Sequence, residues 1–392
     1  MKIGSFLLAV MMIFTAVFAA GCTPISLNQE WSYKTASQEL PIGVYIYSLD
    51  LAYSQAQSYA EDQLDDYTTE SDAWLDEEIT DDDDTTEVAR TWIKNQAELM
   101  CLSYLVIDEQ ITAEGADVST DDIAAADEQA ETYWNVGQYA DYGYIMPMSD
   151  DLEPYGISLD SFKYCTTEYS VKYSALFSKV YGEGGSKEVT DSELTDFFTE
   201  NYVDYSYITV NLYESTTDEA GDSSNVALSD DDAKKLTDEF DGYAKSLNAG
   251  DAYSDVIEKY MTANELDTDP TVSNVENIDS SSLGDELIEA LKNLDSNKAT
   301  TLTVGEGDSA IYYLIYKNNI NDDVDDYVGS ETNKSSVLSS MKSEEFSDYI
   351  KDLTKELDYE ANTSVLEKYD PNMFFVKVES TTAAEEDSED EE

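Results

Sequence analysis

The sequence predicts an α+β chain: a mostly helical domain, completed by a helix near the C-terminus, with a smaller module of strands and helices inserted into it. Three observations predict this. From Pro41 to Val180 apolar residues recur every three or four positions, the spacing of one buried helix face. After Asn201 the texture changes to Tyr205, Tyr207, Ile208, Val210 and Leu212, aromatic and β-branched residues that favour a strand. Helical spacing then returns from about Ser336 to Leu357, where Phe346, Tyr349, Ile350 and Leu353 form an apolar stripe that needs a partner.

In chain order, the first segment reads MKIGSFLLAVMMIFTAVFAAGC: one basic residue, Lys2, an apolar run from Phe6 to Phe18, and small residues up to Cys22. That is the tripartite order of an export signal, and its apolar run is shorter than the ~20 residues a membrane-spanning helix needs. The ending Ala-Ala-Gly-Cys resembles a bacterial lipobox, with Ala19 where that pattern usually has Leu. The resemblance implies cleavage before Cys22 and a lipid on its thiol. Residues 22–40, rich in Ser, Thr, Asn and Gln, read as a tether, within which Trp31 and Tyr33 are either interfacial anchors or, the favoured reading, the first residues packed on the domain.

Pro41 to Asp65 reads as a long helix, and Glu87 to Thr112 as a second, through Ala89, Trp92, Ile93, Tyr104, Ile107 and Ile111. Between them lie four consecutive acids, Asp81 to Asp84, without the glycine-punctuated spacing of a calcium loop and read as a solvated linker. Ser119 or Thr120 opens a third helix, and Ser158 a fourth that runs through Phe162, Cys165, Tyr169, Tyr173 and Val180. Cys101 and Cys165 fall on apolar stripes and read as buried thiols, which an exported protein is also able to join. Gly182, Gly184 and Gly185 break the fourth helix, and Thr190 with Glu193 forms a capping box for the next.

Within the inserted module the strand at 205–212 is followed by helices at 229–247, 252–261 and 283–294, then by strands at 302–304 and 310–316 around Gly305-Glu-Gly307. Met373 to Val378 is a short apolar segment, and residues 379–392 are an acidic, disordered tail.

Composition narrows the function. With 86 acidic residues against 21 basic ones the net charge is −65, which excludes an electrostatic grip on nucleic acid or an anionic bilayer. The absence of any His removes the commonest general base and metal ligand, and three scattered Cys make neither a zinc cluster nor a disulfide framework. No cofactor or metal is expected.

Several phrases carry a family resemblance. Val189-Thr-Asp-Ser-Glu-Leu-Thr-Asp-Phe-Phe-Thr-Glu-Asn-Tyr202 precedes a strand, Tyr207-Ile-Thr-Val210; Asp251 to Tyr260 and Leu287 to Leu294 follow as helices, and Tyr312-Tyr-Leu-Ile315 as a strand. With the export signal, the helical half and the returning helix, this order resembles the PrsA/SurA type of parvulin foldase. The resemblance implies a signal peptide at 1–21, a SurA-like chaperone domain at 41–203, a parvulin-like rotamase module with an antiparallel sheet at 204–320, and a helix and strand at 328–378 that return to the helical domain. Active parvulins set two His side by side on the floor of a proline pocket; the aligned residues here are Tyr207 and Tyr313, and the family's glycine-rich pocket segment falls in a stretch before Leu283 that has no Gly after Met261. The resemblance therefore implies a lipid-anchored extracytoplasmic chaperone for unfolded exported chains, with the isomerase machinery degenerate at Tyr207 and Tyr313 and no catalytic residue assigned. Two alternatives stay open: an active peptidyl-prolyl isomerase using Tyr207 and Tyr313, and a solute-binding lipoprotein, whose usual pair of α/β lobes is not evident.

Overall fold

A computed structural model describes residues 30–217 and 223–376. The chain forms two compact units: one takes the described residues up to Glu188 and from Lys342 onward, the other Val189–Met341. Cys22, the signal segment and the acidic tail lie outside the described residues.

The first unit opens with β1 (Trp31–Lys34) and β2 (Glu39–Pro41). The span read as a tether is therefore structured from Trp31 on. The alternation of Trp31-Ser-Tyr-Lys34 suits a strand, Tyr33 is buried, and the buried Ser32 hydroxyl donates to the Leu40 carbonyl at 3.2 Å. Helix α1 (Ile42–Gln63) follows, buried almost all round in its first two turns as befits a central helix. A Cβ on Gly43 would stand 2.5 Å from Ser161 Oγ, so glycine is what permits the close approach there.

The four acids sit in the turn of a hairpin, β3 (Glu78–Thr80) and β4 (Thr86–Val88), rather than in a free linker. Asp81 accepts hydrogen bonds from the backbone of Asp83 and Thr85 (3.0 and 2.8 Å) and from Trp92 Nε1 (3.0 Å), while Asp82 accepts from Tyr59. An Asp that satisfies its own turn is a hairpin device. Helix α2 (Ala89–Glu114) packs along α1; α3 (Thr120–Asn135) is capped by Ser119, whose side chain accepts from the Asp122 backbone.

A short helix, α4 (Met148–Leu152), leads to α5 (Leu159–Lys163), capped by Ser158. A π-helical turn over Tyr164–Glu168 joins α5 to α6 (Tyr169–Tyr181). The fourth helix is thus continuous but carries one wide turn that the sequence pattern did not announce. Cys101 and Cys165 are buried free thiols, and burial raises the pKa of both.

The second unit begins with α7 (Asp191–Asn201), which carries the expected Thr190–Glu193 capping box. Against expected boundaries of 41–203, 204–320 and 328–378, α7 and residues 324–341 join this unit, because Phe198 stacks on Tyr327 (5.0 Å) and packs on Tyr202 (4.9 Å). Then come β5 (Tyr202–Asn211), a hairpin of β6 (Tyr213–Thr217) and β7 (Ser223–Ala227), α8 (Asp230–Ala249), α9 (Tyr253–Ala263), β8 (Val272–Asn277), α10 (Asp285–Asn293), β9 (Lys298–Val304) and β10 (Ile311–Lys317). The hairpin and β8 were not anticipated: the first is exposed Ser, Thr and Asn, and β8 is an edge strand with two valines.

Four strands pair antiparallel in the order β8-β5-β10-β9. Because side chains alternate, Ile208, Tyr312 and Leu314 face α8 and α9, while Val203, Tyr205 and Ile315 face α10. The α+β class follows directly.

After α11 (Val324–Tyr327), helix α12 (Glu331–Glu356) runs across the sequence boundary between the units. In the first unit its fully buried Phe346 lies 4.8 Å from the Tyr173 ring and 5.3 Å from Phe177, which gives the late apolar stripe its partner. Strand β11 (Glu360–Ala361) pairs with β1, and α13 (Thr363–Leu366) follows. The short apolar segment expected at Met373–Val378 begins within a 3-10 turn, Pro371–Phe374, and its last two residues lie outside the described residues. Asp370 accepts from the Asn372 backbone and Pro371 presets the turn, which aims Phe374 at Tyr155 and Tyr53, 4.9 and 5.7 Å away.

Candidate functional site

The two tyrosines singled out in the sequence meet on the α10 face of the four-stranded sheet. In the β5–β10 register Tyr313 lies opposite Thr209 and Ile315 opposite Tyr207, which makes Tyr207 and Tyr313 diagonal neighbours on one face. Their rings are 5.5 Å apart and tilted by 57°. Tyr205 stacks on Tyr207 at 6.2 Å, so three phenols line this face along β5 and β10. Leu302 on β9 lies opposite Tyr313, and Leu283 and Ile288 approach from the α10 side. The site is a half-buried aromatic floor with an aliphatic rim.

The electrostatics limit its chemistry. Burial, with the neighbouring Tyr207 second, raises the Tyr313 phenol above its ordinary pKa of 10. Burial also raises Tyr205, and its hydroxyl donates to Glu276 at 2.7 Å, where Ser281 donates as well at 2.9 Å. These phenols stay protonated near neutral pH. They are able to donate a hydrogen bond to a peptide carbonyl and to pack on an apolar side chain, but a phenol with a raised pKa is a poor proton acceptor.

The segment after Met261, where the resembled family shapes its pocket with glycine, builds the end of α9, a loop and β8. A cavity of about 740 Å³ opens there, on the α9 face of the sheet, away from Tyr207 and Tyr313. Sequence reasoning did not find this cavity; the signal was the run Glu265-Leu-Asp-Thr-Asp269 following an amphipathic helix. Among the described residues no cluster of three or more His, Cys, Asp or Glu converges as a metal site.

In the first unit the loop between α3 and α4 exposes large apolar side chains. Tyr142 is 80 % and Ile145 74 % exposed, with Tyr139, Tyr144 and Met146 beside them. A cluster of this kind is more than the scattered apolar exposure usual on a surface. Cys22, the expected lipidation residue, lies outside the described residues. No described helix is long and apolar enough to cross a membrane.

No family model matches the chain, and none of the curated proteins is similar to it. Among solved structures, the foldase protein PrsA from Streptococcus pneumoniae str. Canada MDR_19A is similar at 16 % identity and a TM-score of 0.28, over 62 % of this chain and 82 % of that one. PrsA from Bacillus subtilis is similar at 16 % identity and a TM-score of 0.26, over 77 % of this chain and 99 % of that one. At such TM-scores the superposition is too loose to carry any residue of those proteins onto this one.

Proposed function

We propose that the chain is an extracytoplasmic chaperone of the foldase type, held at the membrane by a lipid on Cys22, whose sheet module binds polypeptide without catalysing prolyl isomerisation. The observation that carries this reading is the four-stranded antiparallel sheet flanked by α8, α9 and α10, with Tyr207 and Tyr313 side by side on its α10 face; these are the two residues that the family resemblance aligns with the parvulin histidine pair. The order of elements in the module is the one the family resemblance implies, with the β6–β7 hairpin and strand β8 added. The exposed Tyr139–Met146 loop supports capture of unfolded chains, because a flexible client offers the apolar side chains that such a patch would cover.

Catalysis of a bond rotation with a barrier of ~20 kcal/mol requires a pocket that desolvates the amide and hydrogen bonds placed for the twisted state. Three phenols on the α10 face of the sheet supply hydrogen-bond donors and surface, and no imidazole. The charge of −65 keeps the body off an anionic bilayer, so a lipid would tether the protein at a distance and leave its surfaces free for clients.

Two assays on the full chain test the reading. Light scattering of an aggregating unfolded client should fall in its presence, and a protease-coupled proline-peptide assay should show no rate above background. Absence of protection for any client would overturn the chaperone assignment. Isomerase turnover that disappears in Tyr207→Ala or Tyr313→Ala would overturn the assignment of the module as inactive.

A further inference from the structure

The cavity on the α9 face has the features of a binding cleft. Its floor is apolar, formed by the buried Ile257 together with Tyr253 and Met261 of α9. Its rim holds Glu258, Glu265, Asp267 and Asp269, no Lys or Arg lines it, and none of the four acids forms an ion pair among the described residues. The nearest lysine in sequence, Lys259, is engaged with Asp251. Burial raises the Tyr253 phenol to about 12; Thr271 lies close enough to draw it down, yet neither hydroxyl completes a hydrogen bond of ordinary geometry.

Beside the cleft runs β8, an edge strand that pairs only with β5 among the described residues. Edge strands in stable proteins are usually blunted by Lys, Pro or a bulge. Strand β8, Val272-Ser-Asn-Val-Glu-Asn277, has no Lys or Pro, and Val272 is 46 % exposed. Thr271 and Ser273, at its start, are themselves part of the cleft wall. Part of this edge is already occupied: Thr271 N–H donates to Asp269, Val275 N–H to Asn274 Oδ1, and the Asn277 carbonyl accepts from Ser280 N–H, which leaves the stretch around Ser273, at the cleft wall, open to a partner backbone. An open stretch of strand edge along an acidic, apolar-floored cleft points to an extended chain as occupant.

We propose that this cleft binds an extended basic stretch of polypeptide, its backbone added to the edge of β8 and its Lys or Arg side chains laid across Tyr253, Ile257 and Met261, their charged ends at the four acids. A small polyamine would satisfy the acids but would leave the strand edge unused. That the occupant is an unfolded exported chain rests on the function proposed above; the cleft's preference for basic extended peptide does not.

The test uses the full chain and two unstructured photo-crosslinking peptides, one alternating Lys with aliphatic residues and its twin with Glu for Lys. The Lys peptide should bind and crosslink within residues 253–273, and the Glu twin should bind at least tenfold more weakly. The double variant Ser254→Lys, Thr262→Lys, at two exposed α9 positions on the cleft wall, should weaken the Lys peptide about tenfold, as expected for two reversed contacts of modest strength. A Lys peptide N-methylated on alternate amides should also lose binding. Equal binding of the Lys and Glu peptides, crosslinks confined to the Tyr139–Met146 loop, or unimpaired binding by the double variant would overturn the proposal. Full competition by spermidine together with undiminished binding of the N-methylated peptide would overturn the strand-edge seat in favour of a small-cation site. Failure to protect any aggregating client, with the Lys peptide still bound in the cleft, would overturn the chaperone reading and leave this site standing.

Discussion

The two units bury their apolar residues in different ways. In the first, α1 lies at the centre of a large core that gathers Leu49, Trp92, Ile93, Phe162 and Trp134. In the second, the sheet splits the core into two thin layers, one around Phe240, Val256 and Leu314 and the other around Leu287, Leu291 and Ile315. A thick core stabilises through packing in every direction, whereas a sheet with two thin layers relies on its hydrogen-bond ladder and leaves parts of both faces within reach of solvent. Both candidate binding surfaces of the second unit, the tyrosine floor and the acidic cleft, lie where those layers run out.

The sharpest way to break this contrast is to hollow each core. Trp92→Ala should cost ~3–5 kcal/mol, since Trp92 is fully buried and its indole N–H donates to Asp81, and Leu314→Ala should cost ~2–4 kcal/mol in the second unit. Calorimetry of the full chain should show each variant lowering a different transition. A single transition shifted equally by both would mean the units do not melt separately.

A second, smaller effect belongs to the first unit. Burial, reinforced by Asp151, raises the Asp50 carboxyl from 3.8 to about 7, and one of its oxygens has no hydrogen-bond partner. The folded state therefore holds a proton that the unfolded chain releases. This contribution to stability is fully present below about pH 4 and is lost as pH rises through 7, a change of order 2–4 kcal/mol. Asp50→Asn should flatten that dependence in denaturant titrations between pH 4 and 8 and stabilise the protein at pH 8. An unchanged slope would assign the dependence to the general relief of negative charge instead. In the second unit Asp323 is raised in the same direction by burial and by Asp204, so some slope should persist there in the Asp50 variant.

The smallest effect is local. Thr190→Ala removes one half of the α7 capping box and should cost about 1 kcal/mol, confined to the second unit's transition. A loss of the same size in the first unit's transition would show that α7 supports both.

The helices were legible because their signals are redundant: α2 has apolar residues at the right spacing over seven turns, and α7 announces its start through Thr190 and Glu193. Strand β5 was legible through its aromatic and β-branched residues. The β6–β7 hairpin and β8 were not, because an exposed strand has no reason to alternate apolar and polar residues, and backbone pairing leaves no mark on side-chain chemistry. Trp31–Lys34 was hidden by polar neighbours, although its pairing with a strand near residue 360 depends on contacts no local pattern encodes. Of the candidate site, Tyr207 and Tyr313 were found through the family resemblance and do meet across two strands; the cleft escaped because its floor and rim come from elements whose approach only the fold decides.

The wide turn at Tyr164–Glu168 bears on how this chain tolerates change. A π turn holds one residue more than an α turn, and each residue of helix advances its face by about 100°. Before the turn, Phe162 looks toward Tyr47 and Trp134; after it, Tyr169 meets Tyr104, and Tyr173 and Phe177 meet Phe346. The extra residue works as a phase step that lets one continuous rod address two sets of neighbours. What is fixed in that stretch is the number of residues as much as their identity: a conservative substitution keeps the phase, whereas losing any one residue would rotate the whole downstream face away from its aromatic partners.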